Sequence, residues 1–223
     1  MTEIKNRYQL IKDLEMIKEA AKKNNNILKY IPVAEAIKNV ALFTAVVIIG
    51  ISAMLLWQIN LYGSYNALPN SIKISLYGVI VASVIGIGWF KTSFFLKIAR
   101  KYKKDIKFIT MIKEIYTKTL LIIVIPFLIA IVALCVYFSI LGLLHLIVPI
   151  LAVLVSLFIA SMLAFLNLKD LLPFFEWLFI SGLFALFIAD KIHPLYSLML
   201  TFGIGMLILY VSSIISISKE KRG

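Results

Sequence analysis

Apolar residues come in six long runs, and the polar residues between them come in clusters. A helix must hold about 20 apolar residues to cross a hydrocarbon core ~30 Å thick. The runs meet that length near 40–59, 72–95, 119–141, 146–167, 171–190 and 194–217. The stretch from Leu120 to Leu168 is too long for one crossing, and Gly142 with His145 offers its one break, so a tight hairpin is expected there. Asp190-Lys191-Ile192-His193-Pro194 forms the other short turn. Pro194 suits the first position of a helix, where a missing N–H does no harm. The pattern predicts an all-α, polytopic transmembrane bundle of six spans.

Outside the spans the periodicity changes. Ile4, Tyr8, Ile11, Leu14 and Ile17 recur at helical spacing, with lysine and glutamate opposite them. Residues 1–39 therefore read as a cytoplasmic amphipathic segment lying on the membrane surface or against the bundle. Asn24-Asn25-Asn26 makes a hinge, and Pro32 opens a helix that runs into the first span. Residues 40–217 form the transmembrane domain, interrupted by a basic loop at 97–118, and residues 218–223 form a tail.

Charge decides the orientation. Of 23 basic residues, all but Lys73 and Lys191 lie before the first span, from Lys91 near the inner end of span two to Lys118, between spans four and five, or after the sixth. Basic residues concentrate on the cytoplasmic side of a membrane, so both termini are expected inside, in a multi-pass protein of a prokaryotic plasma membrane. The same asymmetry accounts for the net charge of +12 without nucleic acid as a partner. Lys97, Arg100, Lys101, Lys103, Lys104 and Lys107 form the densest basic cluster. Each contributes roughly 1 kcal/mol of attraction to anionic inner-leaflet lipid, and a cytoplasmic partner is the other candidate.

Within the spans, small residues repeat every fourth position: Gly78, Ala82 and Gly86 in the second, Ala152, Ser156, Ala160 and Ala164 in the fourth, Ser181, Ala185 and Ala189 in the fifth. Such stripes let helix backbones approach closely in lipid. They are expected at helix contacts, within one chain or in a homo-oligomer. Ionisable groups at depth are functional candidates. Lys91 and Glu176 lie about one turn inside matching ends of spans two and five, and an intramembrane ion pair between them is expected. At the other face, His145, Asp190 and His193 could form a polar site if their two turns meet.

Signatures of enzymes are missing. The chain has no HExxH, no Walker A loop and no CxxC, and Cys135 stands alone. Gly50-Ile51-Ser52-Ala53 faintly resembles the serine motif of rhomboid proteases, but both histidines belong to turns of other spans. No catalytic residue, cofactor or metal is expected. A surface helix, six spans and a charged inner loop after span two resemble, in layout alone, the permeases of some ABC exporters. That layout implies a transport or export subunit served by a cytoplasmic ATPase or other membrane subunits. The spans hold little beyond hydroxyls for a hydrophilic path, so hydrophobic or lipid-like cargo is favoured. A membrane scaffold recruiting cytoplasmic partners and a self-assembling channel are the alternatives.

Overall fold

A computed structural model describes residues 33–102, 118–166 and 171–220. These residues are helical throughout, joined by short turns, with no strand among them. The helices are α1 (Val33–Tyr62), α2 (Asn70–Tyr102), α3 (Lys118–Ile140), α4 (Leu144–Leu166), α5 (Leu172–Phe187), α6 (Pro194–Leu198) and α7 (Ile204–Glu220). A π-helical stretch, Met199–Gly203, joins α6 to α7, so the three make one continuous rod. Six rods result, matching the six apolar runs in number and order. Four of them hold stretches long and apolar enough to cross a membrane, at Ile37–Tyr62, Asn70–Ile98, Leu144–Ser161 and Pro194–Lys219. The described part of the protein is thus an all-α assembly of membrane-compatible helices. The amino-terminal segment to residue 32, Lys103, Lys104, Lys107 and residues 221–223 lie outside the described residues.

The turns follow from local chemistry. Gly63, at φ +79°, ends α1, and Gly142, at φ +72°, reverses the chain between α3 and α4; both lie where a side chain would be strained. Gly142 is thus the hairpin expected from the sequence. Pro194 occupies the first turn of α6, with His193 as its N-cap, whose Nδ1 accepts the Leu195 N–H at 3.2 Å. α5 is the shortest of the six, 16 residues long. At 1.5 Å per residue it spans about 24 Å, short of a hydrocarbon core.

The α6–π–α7 rod sits at the centre, against α1 on one side and against α4 and α5 on the other. The two widest seams are α4 with α5 and α1 with α7. Ala152, Phe174, Leu178 and Leu209 form a buried cluster with Ala41, drawing on α1, α4, α5 and α7. Glycine permits the closest approaches. A Cβ on Gly182 would lie 3.0 Å from the Ala152 Cβ and 3.1 Å from the Val153 backbone nitrogen. One on Gly203 would lie 2.8 Å from the Ile49 Cγ1. α2 and α3 are outliers. α2 packs on α1, where Phe43 and Phe90 meet at a centroid distance of 5.3 Å, and α3 packs on α4, where Phe127 stacks on Phe158 at 4.2 Å.

The small-residue stripes divide accordingly. Ala152 and Ser156 of α4, Ser181 and Ala185 of α5 and Ala189 in the turn after α5 are buried, and Ala160 is partly so. On α2, Gly78 and Ala82 are exposed, and a Cβ on Gly78 or Gly86 would meet nothing within 4 Å. The α2 stripe therefore packs against nothing among the described residues. The side chain of Ala164 lies outside them.

Candidate functional site

The turns on either side of Gly142 and His193 converge. His145, two residues into α4, places its Nε2 3.0 Å from Asp190 Oδ1, in the turn after α5. The bond ties the α3–α4 turn to the α5–α6 turn. His145 is 28 % exposed and Asp190 88 % exposed. His193 does not join them in a three-membered site, because its Nδ1 is engaged as the cap of α6. Among the described residues no group of three His, Cys, Asp or Glu side chains could hold a metal ion. An exposed pair of this kind contributes ~0–1 kcal/mol. A double-mutant cycle with His145→Gln and Asp190→Asn, read by thermal melting in detergent, is expected to return a coupling below about 1 kcal/mol. A larger coupling would mean that the pair does more than pin the turns.

Lys73, in the first turn of α2, is accommodated locally. Its Nζ donates to the Asn66 carbonyl at 3.0 Å and stands 5.5 Å from the centre of the Tyr65 ring. The Tyr65 hydroxyl bonds that of Tyr77 at 2.6 Å, and this contact, ahead of a small desolvation, raises the Tyr65 phenol above its ordinary value.

Lys91 and Glu176 are not brought together. α2 packs on α1, whereas α5 packs on α4 and the central rod, and both side chains are exposed. Sequence depth matched them, but depth says nothing about which way round a helix a side chain points. At 1.5 Å per residue Lys91 lies roughly 32 Å along α2 from Asn70, which already brings it to the far edge of a hydrocarbon core. A long, amphipathic side chain there reaches the headgroups without a partner. Of the basic cluster, Lys97 and Arg100 are exposed on α2, and Lys101 belongs to its last turn.

The feature that sequence reasoning missed is the π stretch. At its end the Ile204 N–H bonds the carbonyls of Met199 and Thr201, passing over that of Leu200. The Leu200 carbonyl instead accepts the indole Nε1–H of Trp177, from α5, at 3.0 Å. Gly205 closes the same corner, since a Cβ there would meet Phe174 Cε2 at 3.0 Å and Trp177 Cδ1 at 3.2 Å. Such π segments are rare and gather at functional sites. Beside it an apolar groove of about 400 Å³ opens between α1 and the rod, lined by Ile49, Tyr196, Met199, Leu200 and Ile204 together with Ile188 and Ile192. A second, of about 550 Å³, lies towards the other end of α7 and runs from Pro173 to Lys219.

Comparison with protein-family models, curated proteins and solved structures finds no match. The functional argument therefore rests on the chain's own geometry.

Proposed function

We propose that this chain is a non-enzymatic, permease-type membrane subunit that works in a transport or export complex and handles hydrophobic or lipid-like cargo. The observation that carries the reading is the chemistry of the interior. Among the described residues the buried polar side chains are Ser52, Ser156, Ser181, Ser197, Thr201 and Ser213, all hydroxyls and none ionisable. A path for ions or charged solutes needs charged or carbonyl-rich lining. The first groove is walled instead by aliphatic side chains and Tyr196, and the second mostly by aliphatic ones, with Ser212 and Lys219 among them; such walls suit an acyl chain or a similar apolar body.

In this reading the rods cross a prokaryotic plasma membrane with both termini in the cytoplasm. The basic residues around Lys97–Lys118 then face anionic inner-leaflet lipid and the site where an ATPase docks. The open stripe of Gly78, Ala82 and Gly86 on α2 favours a second reading, a scaffold whose lateral contacts hold other membrane subunits or further copies of this chain.

Purification from native membranes in a gentle detergent, followed by mass spectrometry, separates the two. Recovery of a soluble nucleotide-binding protein that is lost when Lys97, Arg100 and Lys101 are changed to glutamine is the expected result. Recovery of integral membrane proteins alone, unchanged in that variant, would sink the transport reading and leave the scaffold.

A further inference from the structure

The second groove changes character along its length. Leu207, Ile208, Val211, Ser212, Ile215 and Lys219 form its α7 wall, and Pro173, in the first turn of α5, completes it. At about 100° per residue those positions fall within about 140° of the helix circumference, so they make one stripe. The stripe is about 18 Å long at 1.5 Å per residue. Its members are aliphatic apart from the hydroxyl of Ser212 and the one charged group, Lys219, which is exposed in the last turn of α7. Glu176 of α5 is exposed and is not part of the walls. The sequence at that end is basic on balance, since the apolar run closes on Lys219-Glu220-Lys221-Arg222.

The groove follows from the shortness of α5. Gly205 abuts Phe174 and Trp177, so the first turn of α5 lies about level with the middle of the rod. From there α7 continues towards Lys219 with no turn of α5 beside it. Depth in the membrane comes from the same count. Pro194 opens the span. From it Leu207 lies roughly 20 Å along the rod and Lys219 roughly 38 Å, at 1.5 Å per residue. A hydrocarbon core of ~30 Å that begins at Pro194 ends short of Lys219, which falls in the headgroup layer. Leu207 to Val211 fall in the adjoining half of the core. The apolar wall and the charged end therefore meet the acyl chain and the headgroup of one leaflet.

We propose that this groove holds one anionic phospholipid, with an acyl chain along Leu207, Ile208 and Val211 and the phosphate beside Lys219. A neutral apolar body would satisfy the wall alone, whereas an anionic lipid matches both parts. A lysine at a helix end reaches headgroups without any site; what sets Lys219 apart is the apolar groove that leads to it. Anionic lipids populate the cytoplasmic leaflet. The assignment to that leaflet rests on the orientation proposed above, and the groove with its charge does not.

The test is photo-crosslinking of the full chain in phosphatidylcholine vesicles. One probe is a trace of phosphatidylglycerol with a diazirine midway along an acyl chain, and the other is phosphatidylcholine with the same chain. Labelled residues are mapped by mass spectrometry, and the exposed α3 positions Ile122, Ile125 and Ile129 report bulk lipid. Relative to α3, the anionic probe is expected to label Leu207–Ile215 several-fold more than the neutral one. Lys219→Gln should remove that preference and Lys219→Arg should keep it. Equal labelling by both probes in the unaltered protein would overturn the proposal and leave Lys219 merely reaching for headgroups. A preference that survives Lys219→Gln would overturn it too, since the phosphate would then be held elsewhere. So would absent labelling with a disulfide-linked dimer of Val211→Cys, which would seat a second copy in the groove. The assay contains no ATPase and measures no transport, so its outcome is separate from that of the permease reading. In intact cells, a carboxyl-terminal tag open to external protease would overturn the choice of leaflet alone.

Discussion

Replacing Gly182 with leucine is expected to abolish the folded monomer. The α4–α5 seam is one of the two widest in the structure, and Gly182 lies in it without room for a side chain. A single added Cβ would already stand 3.0 Å from Ala152 Cβ and Val153 Cγ2 and 3.1 Å from the Val153 backbone nitrogen. A flexible side-chain tip could swing away, but a backbone atom inside a helix cannot. Overpacking of this kind destabilises by roughly 1–3 kcal/mol for small additions. Gly182→Ala is therefore expected to fall in that range, and Gly182→Leu beyond it, with loss of the monodisperse peak in size-exclusion chromatography. Gly88→Ala is the control, because a Cβ at Gly88 meets nothing within 4 Å. It should leave the elution profile unchanged and Tm unchanged or slightly raised. If Gly182→Leu behaved like that control, the close α4–α5 seam would be wrong.

The contrast between these glycines also marks the limit of what the sequence displays. A repeat of small residues every fourth position says that a helix can be approached closely, not that anything approaches it. In α4 and α5 the stripe is buried, at Ala152, Ser156, Ser181 and Ala185. In α2 the same pattern has Gly78 and Ala82 exposed and Gly86 half-buried, with nothing within 4 Å of a Cβ at either glycine. Lys91 and Glu176 show the same limit: hydropathy reports depth along a helix, and the rotation of that helix is set by tertiary packing. Turns were more legible, since Gly142 and Pro194 impose backbone geometry by themselves. The capping role of His193 was overlooked although Pro194 implies a cap before it. The π stretch had no local signal to read, because what satisfies its bypassed carbonyl comes from another helix.

Trp177→Phe is expected to weaken that stretch without disturbing the packing around it. Phenylalanine keeps an aromatic ring where the Trp177 Cδ1 edge and the Phe174 ring close on Gly205. It removes only the Nε1–H that the Leu200 carbonyl accepts. That carbonyl has already been passed over by the Ile204 N–H, which bonds Met199 and Thr201 instead. The substitution therefore removes a side-chain hydrogen bond from a part-buried main-chain acceptor, at a cost of about 0.5–1.5 kcal/mol. Local consequences should exceed global ones. Amide hydrogen exchange at Ile204 and Gly205 is expected to accelerate, because the rod is freed to exchange its π register for an α one. Trp89→Phe, at a tryptophan 76 % exposed on α2, is the matched control and should change neither exchange nor Tm. Unaltered exchange at Ile204 in Trp177→Phe would mean that the π stretch is held by the Gly203 and Gly205 contacts alone. A selective rise there would make the indole the latch of the central rod, at the wall of the groove proposed to receive apolar cargo.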